Sequence, residues 1–343
     1  MFRFLKEVGR GPRGKRDLTY KEAWDAARCI LSGEATPAQI GAFLIALRLK
    51  TESPDEIVAF VHALKEKSRH HALPESLDCA GPYDGRSKSF FATLPAAFIA
   101  AACGLSITLH ASASLPPKYG ISLLDVMNGM NIPCEQLTPE HWIEAADRVG
   151  VLFVHTEQWC PPLARIRPYR EEVGLRTLFN NAEKLLRLSD SPYLALGVFH
   201  RSALTKMVQV LTRLPLKRGL IVQGMEGSED LPVNRDTRSL LIDRGNVEET
   251  VLSPGDYDMS AELPDETWTA QRQAEITKDV LKGDADPAWI HMAVWNAGIR
   301  LWLAEKCDSL GDGVAAARAA LESGRAAQSF RQWIDMLCGV DVA

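Results

Sequence analysis

The sequence predicts an α/β protein: an N-terminal helical bundle, then a larger domain with a mostly parallel sheet flanked by helices. Three observations predict it. Capped helical segments fill the first 65 residues; from Leu77 onward short β-prone runs alternate with helical patterns; and 286–343 reads as helix throughout. Alternation of this kind builds a parallel sheet with helices on its faces.

Taken in order, Leu18-Thr19 ahead of KEAWDAARCILSG supplies a threonine cap, apolar residues at helical spacing and a glycine stop. Thr36-Pro37 opens a second helix, AQIGAFLIALRLK, and Ser53-Pro54 a third, DEIVAFVHALKEK. Short links between them make a bundle. SITLH (106–110), VLFVH (151–155), YLALGVF (193–199) and RGLIVQG (218–224) read as strands, with 94–103, 138–149 and 202–213 as helices between them. In the C-terminal helical stretch Gly298, Gly311 and Gly324 read as breaks. The boundary falls near residue 75, giving a helical domain over 1–75 and an α/β domain over 76–343.

At 343 residues and 46% apolar, the chain supports a sizeable core and excludes wholesale disorder. Its seven cysteines are scattered, odd in number and without a CxxC pair, which reads as reduced intracellular thiols with no zinc cluster or disulfide frame. MFRFLKEVGR lacks the apolar region of a signal peptide, and no apolar run is long enough to span a bilayer. A soluble, cytoplasmic protein without a membrane partner is expected.

Net charge is −5, which argues against a nucleic-acid partner, but the charge is unevenly placed. Residues 160–220 carry eleven Lys or Arg against four acids, and residues 1–17 carry six against two. A charge-split chain can present a basic face that its overall pI hides, although for any single cation a solvated helix face is the commoner role. Residues 80–93, AGPYDGRSKSFFAT, place two glycines, a proline, an aspartate and two cations ahead of an alanine-rich helical run, the setting of a phosphate-binding loop.

The segment LTYKEAWDAARCILSGEATPAQIGAFLIALRLKTESPDEIVAFVHAL, followed by RPYREEVGLRTLFN at 167–180, IVQGMEGSED at 221–230 and CDSLGDGVAAARAALESGRA from Cys307, resembles the anthranilate phosphoribosyltransferase family nearly end to end. The resemblance implies the class IV phosphoribosyltransferase fold of glycosyltransferase family 3. It also implies that helices around 168–190 join the N-terminal bundle, and that two copies pair through their helical domains.

The family's catalytic motifs are altered in this chain. Family enzymes carry Gly-Thr-Gly-Gly-Asp after the first core strand, where free N–H groups cradle pyrophosphate. With Gly81 and Phe90 aligned, Pro82, Tyr83, Asp84 and Gly85 stand there instead. Proline offers no N–H, tyrosine blocks the approach, and an acid repels pyrophosphate unless a metal intervenes. Arg86 and Lys88 are then the cations able to meet a phosphate by side chain. The family's Lys-His-Gly-Asn-Arg becomes Leu109-His110-Ala111-Ser112-Ala113, which keeps only His110. Each lost cation removes charge-assisted hydrogen bonds worth about 1.5–3 kcal/mol. The Gly-Pro of Asn-x-x-Gly-Pro-Leu becomes Glu183-Lys184.

By the same resemblance Arg170 falls on the arginine that binds the anthranilate carboxylate. Glu226, Glu229 and Asp230 fall on the metal acids, making Mg²⁺ the one candidate cofactor. Gly81, Asp84, Gly85, Arg86, Lys88, His110 and Arg170 form the expected remnant of an anion or phosphoribosyl site, with Arg170, His110, Asp84 and Glu229 around one cleft between the domains. Simpler roles stand beside these: solvated acids at Glu229-Asp230, an ion pair of Arg170 with Glu171 or Glu172, and a core histidine at His110.

The Gly-Arg-Gly turn and cations of FLKEVGRGPRGKRDLT resemble the divergent bacterial branch of the family typified by the YbiB proteins. That resemblance implies a homodimer without the transferase motifs that binds single-stranded or non-specific duplex nucleic acid along a positively charged groove. Arg10, Arg13, Lys15, Arg16, Lys118, Arg165, Arg167, Arg170, Lys184, Arg187 and Arg201 are the expected phosphate contacts, which give affinity without reading sequence. The Arg10–Arg16 stretch, with its glycines, is expected to be exposed and loosely held. Trp159, in HTEQWCPP, is the tryptophan placed where a base could stack; the others mostly sit at helical apolar positions. The alternative is an Mg-dependent glycosyl or phosphoribosyl transferase or phosphorylase acting on another substrate, and anthranilate transfer itself ranks last.

Overall fold

The computed structural model describes residues 1–10 and 14–339. Four helices begin the chain: α1 (Phe2–Val8), α2 (Tyr20–Leu31), α3 (Pro37–Lys50) and α4 (Pro54–Lys65). The last three start where the caps place them. Each sits behind a capping box, Thr19 with Glu22, Thr36 with Gln39 and Ser53 with Glu56. Such a box satisfies two amide donors that a helix start leaves without partners, and the cap alone is worth about 1 kcal/mol. Glu56 does more. Its buried carboxylate accepts the Leu18 amide at 2.8 Å and pairs with the Lys50 ammonium at 2.8 Å, fastening the start of α2 to α3 and α4.

From residue 77 strands and helices alternate: β1 (Leu77–Ala80), α5 (Thr93–Ala102), β2 (Ile107–Ala111), α6 (Leu123–Gly129), α7 (Pro139–Val149), β3 (Val151–His155), α8 (Thr156–Trp159), α9 (Pro161–Val173), α10 (Leu178–Ala182), β4 (Tyr193–Gly197), α11 (Ser202–Leu211) and β5 (Arg218–Val222). A hairpin, β6 (Thr237–Asp243) and β7 (Asn246–Leu252), follows, and then α12 (Ala270–Lys282), α13 (Pro287–Leu303), α14 (Leu310–Glu322) and α15 (Arg325–Cys338). The sheet order is β3-β2-β1-β4-β5-β6-β7, parallel from β3 to β5 and antiparallel beyond. The four expected strands are present within two residues of their sequence bounds. The hairpin is not marked by the sequence, because β7 carries Glu248 and Glu249 on an exposed edge and shows no apolar alternation. Charge on an outer strand is a common guard against edge pairing.

α5 is apolar all round, with Thr93 through Ala100 buried, and packs against α13 and α15 as an inner helix. Two of the three expected glycine breaks are not breaks. Gly298 lies inside α13 and Gly311 inside α14, and only Gly324 separates helices. A Cβ on Gly298 would sit 2.7 Å from the Val314 Cα, so this glycine is where α13 and α14 cross closely.

α9 and α10, although they follow β3, pack against α3 and α4 and so belong with the helical unit. Among the described residues no helix is long and apolar enough to cross a membrane. The strand order reverses direction at β1: β2 and β3 lie on one side, β4 and β5 on the other. The loops leaving the carboxyl ends of β1 and β4 therefore diverge, and open α/β sheets place ligands in the crevice this creates.

Candidate ligand cleft

That crevice holds a cavity of about 390 Å³. Its walls are the loop after β1 (Pro82, Tyr83, Asp84), Arg176 and the α10 region (Asn180, Asn181, Lys184), the loop after β4 with Phe199 and His200, Lys206 on α11, Glu226-Gly227, and Thr51 at the end of α3. Residues from both sequence domains line it.

The loop after β1 still offers backbone amides, but they have a ligand of the chain's own. The Glu226 carboxylate accepts the Ser87 amide at 3.1 Å, the Lys88 amide at 2.9 Å and the Ser89 hydroxyl at 2.8 Å. Burial works against this charge, yet the Lys88 amide, the Ser89 hydroxyl and the Ser87 amide hold its carboxyl below the usual range. An internal carboxylate thus sits on amides of the kind that bind phosphate. Gly85 is packed so closely on Gly120 that a Cβ would lie 2.3 Å from its carbonyl oxygen.

The expected metal acids do not form a metal site. Asp230 is buried with both oxygens engaged: Arg86 Nη1 at 2.7 Å and the Thr93 amide at 3.0 Å on one, Arg300 Nη2 at 3.0 Å on the other. Glu229 lies 3.9 Å from each of the same two guanidinium groups and behind Gly81. Glu226 is committed to the loop amides. No group of three metal-ligating side chains exists among the described residues. A divalent ion does not fit where two buried arginines already neutralise the acids. The same pairing corrects the expectation for Arg86, whose head is buried on Asp230 rather than offered to a ligand, whereas Lys88 is exposed.

Arg170 is likewise satisfied. Its guanidinium grips the Glu183 carboxylate through two bonds of 2.8 and 2.7 Å, both groups buried. The partner is Glu183, not Glu171 or Glu172. Tyr83 projects inward beside this pair. Its hydroxyl bonds His110 Nδ1 at 2.8 Å and the Thr156 hydroxyl at 2.6 Å, and His110 Nε2 in turn bonds Asp78 at 3.0 Å. Burial holds the Tyr83 phenol well above its usual range, so it remains an O–H donor. Of the four residues expected around one cleft, Asp84 lines the cavity, where it pairs with Arg176. His110 and Glu183 line a small inner pocket behind Tyr83, and Glu229 and Arg170 are buried and paired.

The expected phosphate contacts divide sharply. Arg187 is buried with its head on the Ser191 carbonyl, and Arg165 reaches the Leu31 carbonyl on α2. Arg167 is held by Glu157 and Glu171. Arg167, Arg170 and Arg187 are thus structural, whereas Arg165 remains exposed. Arg10 and Arg16 are exposed, as expected, and each pairs with Glu7, Arg16 also with Glu22; residues 11–13 between them lie outside the described residues. Lys15 is exposed beside the Leu49 carbonyl, and Arg13 lies outside the described residues. Lys184 lines the cavity, Lys118 sits beside Glu226, and Arg201 is exposed at the start of α11. Trp159 is fully buried and cannot stack a base.

Residues that sequence reasoning missed complete the mouth of the cleft. Phe199 is 43% exposed, with the Lys118 ammonium 5.3 Å and the Arg176 guanidinium 5.2 Å from its ring centroid. Lys206 joins them from α11. The available signal was an aromatic ending a β-prone run, at the carboxyl end of a strand beside the switch point.

Comparison with known proteins agrees with this architecture. Residues 3–68 match the glycosyl transferase family helical bundle domain, and residues 76–327 match the glycosyl transferase family a/b domain. The chain is 32% identical over 315 residues to the anthranilate phosphoribosyltransferase of Desulfitobacterium hafniense strain Y51, covering 91% of this chain and 93% of that one. It is 31% identical over 323 residues to the enzyme of Chromobacterium violaceum, with 93% of each covered. Anthranilate phosphoribosyltransferase from Thermus thermophilus superposes with a TM-score of 0.84 at 27% identity, over 97% of this chain and 99% of that one. The Saccharomyces cerevisiae enzyme in complex with PRPP and Mg shares the fold at 18% identity, with a TM-score of 0.82 over 99% and 98% of the two chains. With both domains matched in order and nearly the full length aligned, the chain belongs to glycosyl transferase family 3, among the homologues of anthranilate phosphoribosyltransferase.

Proposed function

We propose that this family member is a nucleic-acid-binding homodimer that does not transfer phosphoribosyl groups. One observation carries the reading: each ligand position that the family resemblance assigns is met by a side chain of the chain itself. Glu226 sits on the loop amides, Arg86 and Arg300 neutralise Asp230, Glu183 occupies Arg170, and Tyr83 fills the space beside it. A diphosphate and metal at those positions would have to displace buried ion pairs, each strongly destabilised by loss of one partner.

What stays accessible is different in kind. Lys206 lines the cavity and Lys118 lies against the exposed Phe199, each half-buried with a carboxylate nearby (Glu52 at 3.9 Å and Glu226 at 3.8 Å). Lys88 and Arg201 are exposed on adjoining loops; cations beside an aromatic suit a phosphate backbone and bases. Cations on phosphates give affinity without sequence preference. The net charge of −5 is unevenly spread along the chain, residues 160–220 carrying eleven Lys or Arg against four acids.

Two measurements test the reading together. In a gel shift with a single-stranded oligonucleotide and a duplex, the expected result is nanomolar-to-micromolar binding that weakens at least about tenfold between roughly 50 and 200 mM salt. Absent binding, or binding flat with salt, overturns it. Calorimetry with phosphoribosyl pyrophosphate and Mg²⁺ is expected to give no heat of binding. A measurable signal lost in Glu229→Gln, Asp230→Asn would instead restore a transferase.

A further inference from the structure

We infer that the cleft cavity is a single-nucleotide pocket, with Lys184 holding a phosphate and Phe199 stacking the base, so that the protein favours single strands over duplex. This rests on the nucleic-acid reading above and adds the ligand that the cleft selects.

The first argument is Lys184. Its ammonium donates to the Gly197 carbonyl at 3.1 Å and the Gly227 carbonyl at 3.5 Å, and it makes no ion pair among the described residues. Burial lowers its pKa to about 8, with Glu229 and Asp84 only partly offsetting it. Of the enclosed cations bordering the cleft, Arg86, Arg170 and Arg300 have carboxylate partners, and Arg187 rests on the Ser191 carbonyl behind Tyr83. Lys184 faces the large cavity without a carboxylate partner among the described residues. Asn180 and Asn181 line the same cavity and bring further hydrogen-bonding groups.

Phe199 is the second. A large apolar side chain left exposed beside a basic cavity needs a reason, and this one is held rather than free. Gln223 Nε2 donates to its carbonyl at 3.1 Å, and a Cβ on Gly227, a residue at φ +82°, would sit 3.1 Å from its Cα. Gly227 therefore links the two groups: Lys184 bonds its carbonyl while Phe199 packs on its α-carbon. A partly exposed aromatic ring flanked by the Lys118 and Arg176 cations, next to an unpaired lysine, is an arrangement suited to single strands, because every base has a π face. In a duplex the bases are already stacked on one another and do not reach such a face.

Size agrees. About 390 Å³ is at the lower end of small-ligand pockets, which run from roughly 300 to 1,000 Å³. It suits one nucleotide rather than a stacked pair.

The test uses fluorescence anisotropy with a labelled single strand and a labelled duplex of equal length, and unlabelled dAMP as competitor. Wild-type protein is expected to bind the single strand more tightly and to release it to dAMP. Phe199→Ala is expected to lose about tenfold in affinity for the single strand and clearly less for the duplex, and Phe199→Trp to keep the wild-type preference. Wild-type binding of both nucleic acids with no effect of dAMP, or Phe199→Ala losses equal on both or absent from both, overturns the pocket while leaving the nucleic-acid reading intact. No binding of either nucleic acid by wild type removes that reading instead. Thermal melting of each variant separates a binding loss from a folding loss.

Discussion

Lys184 carries its charge where the surroundings disfavour it. Because its pKa is about 8 in the folded chain against 10.5 for a free lysine, the unfolded chain binds more protons between those values. Stability therefore rises with pH across roughly pH 8 to 10.5, and at neutral pH the full cost of the charge is present. Replacing it should help the fold and harm the binding. Lys184→Met is expected to raise unfolding free energy at pH 7 by about 0.5–2 kcal/mol in denaturant titration, while weakening oligonucleotide binding. In wild type, affinity is expected to decline between pH 7 and 9 as the ammonium loses its proton, and in Lys184→Met that decline should vanish. Gain of stability with no change in binding would make Lys184 a mere packing defect.

The loop between β1 and α5 and the turn after β5 work as one unit, because each supplies the charges that the other buries. Asp230, from the turn, holds Arg86 from the loop and Arg300 from α13. Asp230→Ala leaves two buried guanidinium groups with only Glu229, 3.9 Å from each, and is expected to cost about 3–5 kcal/mol by denaturant unfolding, with millimolar Mg²⁺ leaving the melting temperature of wild type unmoved. A melting temperature that climbs with Mg²⁺ would mean the arginines yield to a metal. These contacts mark the limit of what the sequence discloses. Caps such as Thr36 with Gln39 are three residues apart and were legible, as were the apolar strands. Substitution of the cradle by Pro82 and Tyr83 was legible too. What filled the cradle was not, since Arg86 and Asp230 are 144 residues apart and nothing local to Arg170 singles out Glu183 over Glu171. Counting cations likewise overstated the free charge, because an arginine's partner is a tertiary fact. The β6–β7 hairpin escaped notice for a related reason, its outer strand being polar by placement rather than by pattern.

At the scale of the whole molecule, the helical unit bears the two most exposed large apolar side chains among the described residues, Phe2 at 76% and Leu49 at 75%. On the homodimer reading proposed above, these are side chains that a second copy would cover. Light scattering is expected to give a mass near twice the chain's 37.8 kDa, with a Phe2→Ser, Leu49→Lys variant running as a monomer that keeps its far-ultraviolet spectrum. A monomeric wild type would refute the pairing. The internal stand-ins in the cleft also tie the site to the stability of the fold. Removing Glu226, Glu183 or Arg86 singly uncovers an amide cradle or a buried charge before any substrate can compensate for it. Each such removal is costly alone. The cleft is thus coupled to the fold, because the side chains that occupy it also supply stability that any ligand entering at their positions would have to replace.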